Sequence, residues 1–579
     1  MSNRFAILAI VTTLIGLLLP PELLVSAFLP PQYATLFHTR LVSSLWLAKF
    51  CLLGDAVLLA TWPLVRRRFF RPAGTPSRST SSTLPVLTAL DARLMALLTL
   101  LAGILRAWGL SAGFSFDEIT ISMSMAEKSL PHLLMRSEPW RLVPALLAFF
   151  LYRLFGMSEL CARLPSFVAG VLTVPLLYLL ARHWMKTGYA LAAAAILALS
   201  TFHLWYSQLS TSYAPAMFFI LLSMLALERV LADDRPESWF LWGAALLLAL
   251  VTHFQLALFV LVAQGLRVAF PRIPGPLLRQ GVAKFCIVSA YSWAIAVTVF
   301  SVNAFTWSSV FAWSSALSAA NMVPHHVHST SRVAIADFIL FVQWLGNAYS
   351  PWYLQLGIGV AVVAGLLLWS RRDKALTIYL LLPTVLFWLL FAVRAIRLVE
   401  PRYSLFTLIP LCILGGTGIA GSIELARLRR SGAPRLVAFG LTTVLIGTAL
   451  GGASISLKRY TSRERFPFRA TARLLAAHVP GGEKVYFCGF GYHQFKYYYP
   501  QMLPLPDYHS LERAMDRGED LWIVYYEPDY LGKMPEVLRR RVLVETTEVF
   551  SYEGRAEQNL EEHVSFVRRY DRSSVTKSP

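Results

Sequence analysis

Two adjacent carboxylates stand out because they follow a long apolar segment. Asp117 and Glu118 end the stretch GFSFDE, which begins at Gly113, just after an apolar run from about Leu94 to Leu110. Acidic residues favour the N-terminal end of a helix, so capping of the next helix is one interpretation. The other is chemistry, because a carboxylate can act as a general base or can anchor a cation or sugar hydroxyls. Both interpretations stay open at this point.

A third carboxylate, Glu138, lies in another polar stretch, between Arg136 and Arg141. The apolar run Leu142–Phe155 follows it, and this run suits a helix at the membrane interface better than a span. Carboxylates at a membrane face can accept a proton from an attacking hydroxyl, or can hold a metal that bridges a phosphate leaving group. The spacing does not separate these roles. A divalent cation, Mg²⁺ or Mn²⁺, held by Asp117 and Glu138 is therefore one expectation, and no metal-ligand motif supports it.

Polar and aromatic side chains concentrate at two further boundaries of apolar segments. Tyr206, Gln208 and Tyr213 lie in the stretch FHLWYSQLSTSYAP, and His253 ends another apolar run. An aromatic belt at the level of the lipid head groups explains the first cluster equally well. A lone histidine is more often a packing residue than a catalytic one. All four residues are candidates for contact with a substrate.

Three arginines lie close together near another outer boundary. Arg394, Arg397 and Arg402 fall within the stretch RAIRLVEPRY, which ends at Tyr403. Basic residues are uncommon on the outer side of a membrane, so an anionic lipid head group is a reason for their presence. Arginine matches phosphate in a bidentate fork. Ordinary head-group contact is the alternative.

The elements that must position these residues are membrane helices. The chain has 579 residues, 56% of them hydrophobic and only 15% charged, which excludes a purely soluble protein and a disordered one. We count about 13 apolar segments of spanning length, and the run from about Leu94 to Leu110 is one of them. The net charge of +20 first suggests nucleic acid. However, the Arg66–Arg68 cluster and five later basic turns all fall on one side of the membrane in a single arrangement of the spans. Much of the charge is therefore explained by the positive-inside tendency, and no nucleic-acid partner is predicted.

The chain divides into four predicted parts. Residues 1–70 form two N-terminal transmembrane helices, and residues 71–91 form a basic, Pro- and Ser-rich cytoplasmic linker. Residues 92–457 form the transmembrane core, and residues 458–579 form an extracytoplasmic α/β domain. In that last part we expect a helix at Phe468–Ala477, strands at Lys484–Cys488, Leu521–Tyr526 and Val542–Phe550, and a partly parallel sheet. Five cysteines give no disulfide framework.

Several short motifs in order resemble the bacterial family 39-like membrane glycosyltransferases, which are related to protein O-mannosyltransferases and to the lipid A aminoarabinose transferase. The motifs are F-D-E at 116–118, L-F-G at 154–156, R-L-P-S at 163–166, H-L-W-Y-S-Q at 203–208, T-H-F at 252–254 and P-R-Y at 401–403. The resemblance implies a polytopic α-helical membrane protein of the C-type glycosyltransferase fold. It also implies transfer of a sugar from a polyprenyl-phosphate donor to an acceptor outside the cytoplasm, with membrane lipids around the enzyme.

The same resemblance implies roles for individual residues. Asp117 would be the general base or main acidic group, with Glu118 beside it. Glu138 falls on the family's second acidic position, and Arg402 would contact the lipid phosphate. The acceptor, whether lipid, glycan or protein, is not specified by the sequence.

The chain departs from the family at two places. It has W-R-L at 140–142 where the family has H-P-P, and Q-L-S-T-S-Y at 208–213 where the family has Q-E-A-R-x-Y. A Glu and an Arg are therefore absent, and Arg141, Arg394 or Arg397 would have to replace that arginine. The loss keeps a catalytically silent scaffold open as an alternative. A lipid or glycan transporter is a second alternative, disfavoured because we see no internal repeat. The expected location is the bacterial cytoplasmic membrane.

Overall fold

The computed structural model describes most of the chain in blocks that are separated by gaps. The described residues are 11, 49–57, 60–61, 87–115, 118, 130, 133, 142–269, 275–301, 352–392, 401–428, 433–461, 468–481, 483–488, 492–504, 508–526, 534–553 and 564–570.

Helices make up the first and larger part of the described chain. In order they are α1 (Ala89–Ala107), α2 (Leu142–Phe155), α3 (Glu159–Trp184), α4 (Thr187–Leu199), α5 (Thr201–Ser207), α6 (Tyr213–Asp233), α7 (Pro236–Ala269), α8 (Gly275–Ser301), α9 (Trp352–Arg372), α10 (Lys374–Ala392), a 3₁₀-helix (Pro401–Thr407), α11 (Leu408–Leu428) and α12 (Ala433–Thr461). Five helices of the described part are long and apolar enough to cross a membrane, or six if the bent pair α4–α5 is one span. The chain is thus a multi-pass helical membrane protein, while the number of about 13 spans stays a prediction.

Helix α7 is a hairpin of two antiparallel arms. His253 has non-helical backbone angles, φ −158° and ψ 91°. Trp242 Nε1 donates a hydrogen bond of 3.1 Å to Gln264 Oε1. In one straight helix these two residues would be about 33 Å apart, so the chain reverses at His253. This places His253 at one end of the bundle, as the sequence predicted for the end of a span.

Ion pairs gather at the opposite end of the bundle, which we call the basic end. Glu228, near the end of α6, contacts Arg267 of α7 at 2.9 Å and His183 of α3 at 3.3 Å. Lys186, at the start of α4, contacts Glu424 of α11 at 2.7 Å. The basic turns that the sequence predicts for these helices therefore lie at the same end of the bundle. The end with His253, which we call the site end, carries the starts of α3 and α6 and the end of α1.

The C-terminal part of the chain forms a five-stranded mixed sheet with helices. Its elements are α13 (Phe468–His478), β1 (Lys484–Cys488), α14 (Tyr492–Tyr498), β2 (Leu503–Pro504), α15 (Tyr508–Asp516), β3 (Leu521–Tyr526), α16 (Glu536–Glu545), β4 (Thr547–Glu553) and β5 (Val564–Tyr570). The strand order is β2-β1-β3-β5-β4. β1 pairs in parallel with β2 and β3, whereas β5 pairs antiparallel with β3 and β4. The partly parallel sheet predicted from the sequence is confirmed.

One strand prediction is partly wrong. The run Val542–Phe550 was expected to be extended, but its first residues continue α16 and only Thr547 onward is strand. Leu538 and Val542 are both buried and are four residues apart. That spacing places them on one face of a helix, and packing on this face outweighs the β propensity of the valines. The strands predicted at Lys484–Cys488 and Leu521–Tyr526 are observed with the same bounds.

Candidate functional site

A fully buried ion pair fixes the acidic segment at the site end of the bundle. Arg163, in the first turns of α3, and Glu118 are both 0% exposed. Arg163 Nε donates to Glu118 Oε1, and Arg163 Nη2 donates to Glu118 Oε2, each at 2.7 Å. This bidentate geometry is the strong form of an arginine–carboxylate pair. Isolated charges would be costly at this depth, so each group depends on the other.

Backbone amides complete the coordination of the Glu118 carboxylate. Ser115 N–H donates to Oε2 at 2.8 Å, and Ser210 N–H donates to Oε1 at 2.7 Å. Each carboxylate oxygen therefore accepts two N–H groups. Burial alone would raise the pKa of Glu118, but the Arg163 guanidinium and these hydrogen bonds lower it below the ordinary value of 4.5. The stabilisation from this group is fully present at neutral pH and is lost as the pH falls through the lowered pKa.

Arg163 also binds the backbone of the residues that follow α1. Its remaining N–H groups donate to the carbonyl oxygens of Leu110, Ala112 and Gly113, at 2.8, 2.6 and 2.9 Å. These carbonyls follow the end of a helix, where the backbone has no helical partner. One side chain thus fixes residues 110–113 and Glu118 together, and Asp117 immediately precedes Glu118 in sequence.

The segment between α5 and α6 packs against the end of α1 and against α3. Gln208 Nε2 donates to the carbonyl oxygens of Leu105 and Arg106, at 3.1 and 3.0 Å, and so caps the end of α1. Ser166 Oγ of α3 donates to Thr211 O at 2.9 Å. Gln208 is 0% exposed. Its amide therefore holds two helices together, and the substrate contact expected from the sequence stays a prediction.

The other three candidates of this region form a ring cluster. Tyr206 and Tyr213 have ring centroids 5.2 Å apart, and Tyr213 lies 5.1 Å from His253. All three side chains are buried at the site end. The structure therefore brings the reversal of α7 against the end of α5 and the start of α6, which lie 40 or more positions earlier in the chain.

The remaining predicted residues have less structural description. Pro401–Thr407 is a 3₁₀-helix that carries Arg402 and Tyr403, and it packs against α6 and α7 through its later residues. Phe406, for example, stacks on Phe259 at 5.6 Å. The remaining predicted site residues lie outside the described part of the chain: Asp117, Glu138, Arg141, Arg394 and Arg397. The described part of the chain holds no group of three or more His, Cys, Asp or Glu side chains suited to a metal ion.

Sequence reasoning missed a second buried arginine, Arg106 in α1. It is 0% exposed and donates to the carbonyl oxygens of Leu197 and Ala198, at 3.3 and 3.2 Å, where α4 ends. It also contacts His203 Nδ1 at 2.7 Å. The available signal was its position inside an apolar segment, since an arginine there is costly and needs partners. The same signal marks Arg163, which the sequence singled out only as part of a motif.

Comparison with known families gives a match that covers part of the transmembrane region. Residues 137–301 match the family described as dolichyl-phosphate-mannose-protein mannosyltransferase. This match confirms, over those residues, the resemblance read from the motifs. It includes Arg163, the α5–α6 segment and the His253 reversal. A comparison with curated proteins finds no match.

A comparison with solved structures finds matches at low sequence identity that extend over most of this chain. ArnT from Cupriavidus metallidurans in the apo state has 14% identity and a TM-score of 0.49, over 85% of this chain and 99% of that one. The same protein bound to undecaprenyl phosphate has 13% identity and a TM-score of 0.48, over 83% and 98%. The archaeal oligosaccharyltransferase AglB from Archaeoglobus fulgidus has 10% identity and a TM-score of 0.46, over 76% and 69%.

Proposed function

We propose that this chain is a C-type membrane glycosyltransferase that moves a sugar from a polyprenyl-phosphate-linked donor to an acceptor on the outer face of the bacterial cytoplasmic membrane. The observation that carries the proposal is the family match over residues 137–301, since that family is described by a sugar donor on dolichyl phosphate. The Glu118 frame, by which we mean Glu118 with the Arg163, Ser115 and Ser210 groups that bind it, supports the proposal. It holds the residue next to Asp117 beside the matched helices.

The proposed reaction is a single displacement at the anomeric carbon of the donor sugar. An acceptor oxygen forms a bond to that carbon while the bond from the carbon to the phosphate oxygen breaks. The acceptor proton passes to the Asp117 carboxylate, and polyprenyl phosphate leaves as an anion. Arg402 neutralises the charge that develops on the leaving phosphate. Arg141, Arg394 and Arg397 are further candidates for phosphate contact, as replacements for the arginine that the motif lacks.

Of the two adjacent acids, we assign proton transfer to Asp117 and a positioning role to Glu118. Both Glu118 oxygens already accept two N–H groups each, and the side chain is 0% exposed. A carboxylate in that state has no free acceptor position for an incoming proton. Its replacement would nevertheless lower activity, because it releases the chain next to Asp117.

The remaining candidate site residues are assigned to the donor sugar, the lipid phosphate and the cation. Tyr206, Tyr213 and His253 form one ring cluster at the site end, and we propose that this cluster borders the donor sugar. Tyr403 is assigned to the lipid phosphate beside Arg402. As an alternative to proton transfer by Asp117, Asp117 and Glu138 would together hold a divalent cation, and loss of activity on addition of EDTA with recovery on addition of Mg²⁺ or Mn²⁺ would decide for that alternative.

The test is donor turnover by the purified full-length protein. It would be given undecaprenyl phosphate carrying one hexose, pentose or N-acetylhexosamine, with solubilised cell-envelope material as acceptor, and released undecaprenyl phosphate would be measured by mass spectrometry. We expect release by the wild type and at least a roughly 100-fold loss in Asp117→Asn. Glu512→Gln, in the C-terminal part, is the matched control and should keep full activity.

Two results would contradict the proposal. Full release by Asp117→Asn would remove the catalytic assignment. Absence of release from every donor by the folded wild type would favour the silent scaffold, and movement of labelled lipid across a vesicle membrane without release would favour the transporter.

A further inference from the structure

The C-terminal part of the chain makes direct contact with the segment that precedes Asp117. Arg469 Nη1 of α13 donates to Ser111 O at 2.6 Å. Phe114 N–H donates to the Tyr498 hydroxyl of α14 at 2.7 Å. These contacts join residues more than 350 positions apart in sequence. The sheet-containing unit therefore reaches the acidic segment through two side chains.

The Tyr498 hydroxyl links that segment to α3. It accepts the Phe114 N–H and donates its own proton to Glu159 Oε1 at 2.9 Å. Glu159 is the first residue of α3, one turn before Arg163, which holds the carbonyl of Gly113 and the Glu118 carboxylate. Burial raises the pKa of Tyr498 above its ordinary value of 10, so the hydroxyl keeps its proton at neutral pH.

The backbone at Gly113 shows how close this approach is. A Cβ atom on Gly113 would lie 3.1 Å from Arg469 Cβ and 3.6 Å from the Tyr498 hydroxyl. The ring of Phe114 also packs edge-on against Tyr497 at 5.6 Å. Gly113 and Phe114 are thus buried and contact α13 and α14, and Arg163 binds the Gly113 carbonyl oxygen.

We propose that Tyr498 is a positioning residue, which uses the C-terminal unit to fix the segment that carries the catalytic acid. The catalytic role of the acid in this segment rests on the proposed function. The contact between Tyr498 and the segment does not depend on that function. Glu118 and Arg163 fix the segment from within the membrane part, and Tyr498 fixes it from outside that part. The C-terminal unit is therefore a component of the site in addition to the transmembrane core.

Hydrogen exchange on the full-length protein tests the contact without any substrate. The variant is Tyr498→Phe, which removes one oxygen and keeps the ring. The loss of one hydrogen bond of about 1 kcal/mol corresponds to a roughly fivefold faster exchange of the Phe114 amide. We expect this increase in peptides covering residues 111–118, with no change in peptides from α9 or α11. Tyr497→Phe, which keeps its ring contact with Phe114, is the matched control and should exchange as the wild type does.

Donor turnover by the same variants tests the functional consequence. A small displacement of a catalytic group can cost up to about 100-fold in rate. We therefore expect kcat for release of undecaprenyl phosphate to fall roughly 10- to 100-fold in Tyr498→Phe, with the donor KM within about twofold. A general loss of folding would instead lower the active fraction and leave the kcat of the folded protein unchanged.

The outcomes separate this inference from the proposed function. Wild-type exchange at residues 111–118 in Tyr498→Phe overturns the positioning role, whatever the activity. Faster exchange with an unchanged kcat overturns its importance for the reaction. If the wild type shows no turnover, exchange still decides whether the contact exists. Should Tyr498→Phe fail to fold, the wild type alone still tests the contact, because a Phe114 amide that exchanges at the rate of an unprotected amide would have no Tyr498 acceptor and would overturn the proposal.

Discussion

Two arginines lie at positions where a membrane protein can least accommodate a charge, and both use all of their N–H groups. Arg163 pairs with the Glu118 carboxylate, whereas Arg106 contacts backbone carbonyls, Ser207 and His203. In each case the guanidinium binds carbonyl oxygens where helices end or break. The cost of burying the charge is offset because these carbonyls would otherwise be unsatisfied.

The Glu118–Arg163 pair gives a prediction at this scale. Glu118→Ala leaves Arg163 as an uncompensated buried charge, so we expect the free energy of unfolding to fall by about 3–5 kcal/mol. Unfolding of the purified protein in detergent measures it. The matched control is Glu519→Ala in the C-terminal part, which removes a surface partner of Lys484 and should cost less than about 1 kcal/mol. Similar losses in both variants would show that the buried pair is not a principal anchor.

The adjacent acids also mark the limit of prediction at the residue scale. The sequence identified Asp117 and Glu118 together, and nothing in six consecutive letters distinguishes them. The groups that bind Glu118 include Arg163 and Ser210, which are 45 and 92 positions away from it. Only the fold brings these groups together, so the positioning role that we propose for Glu118 could not be inferred from the sequence.

At the scale of elements, the bend between α4 and α5 is the clearest departure from a regular span. The two helices meet at 60°, and the break leaves carbonyls near the end of α4 without helical partners. Arg106 of α1 donates to two of them, at Leu197 and Ala198. The bend directs α5 toward the ring cluster and the segment that contacts Glu118.

We therefore expect Arg106→Ala to destabilise the bend. Two buried carbonyls would lose their donor, at a cost of roughly 2–4 kcal/mol in the free energy of unfolding. Arg93→Ala, on the exposed face of the same helix, should stay within about 0.5 kcal/mol of the wild type. Unfolding in detergent compares the two. Equal stability of both variants would mean that the bend does not need the guanidinium.

Helices α9 and α11 cross through glycines, which gives a second prediction for elements. A Cβ atom on Gly418 would lie 1.9 Å from Ala361 O, whereas one on Gly359 would meet nothing within 4 Å. Close helix crossings in membranes depend on such small residues. Gly418→Ala should separate the helices and lower the unfolding temperature by several degrees, since a clash of this kind costs roughly 1–3 kcal/mol. Gly359→Ala should leave it unchanged or raise it slightly, and the reverse order would refute the crossing.

Elements were more predictable from the sequence than the site. A helix is observed at Leu142–Phe155 with the bounds of the apolar run, and its place at the membrane interface stays a prediction. The bounds of β1 and β3 were also predicted correctly, since short runs of aromatic and β-branched residues are bounded by polar ones. The predicted strand was wrong at Val542–Glu545, which is helical, because the burial of Val542 goes together with that of Leu538, one helical turn before it. The bend at Ser200 was not predicted: its serine is a helix N-cap residue, but the guanidinium that binds the carbonyls at the break lies in another helix.

At the scale of the whole molecule, the polar features separate into two ends. The basic end contains the Glu228–Arg267 and Lys186–Glu424 pairs, and the site end contains the Glu118 frame, the ring cluster and the C-terminal unit. The positive-inside tendency assigns the basic end to the cytoplasm. The C-terminal unit and the proposed site would then face outward together, as an extracytoplasmic acceptor requires.

This orientation can be tested with single cysteines introduced into a variant in which all five native cysteines are replaced by Ser or Ala. His509, in α15 of the C-terminal unit, and Lys186, at the basic end, have side chains that are 84% and 73% exposed. A membrane-impermeant maleimide applied to right-side-out vesicles should label His509→Cys within minutes. It should label Lys186→Cys only after detergent opens the vesicles. Because the two positions are similarly exposed, a difference in labelling reports the side of the membrane and not local burial. The reverse pattern would place the site in the cytoplasm, and a donor presented on the outer face could then not reach Asp117.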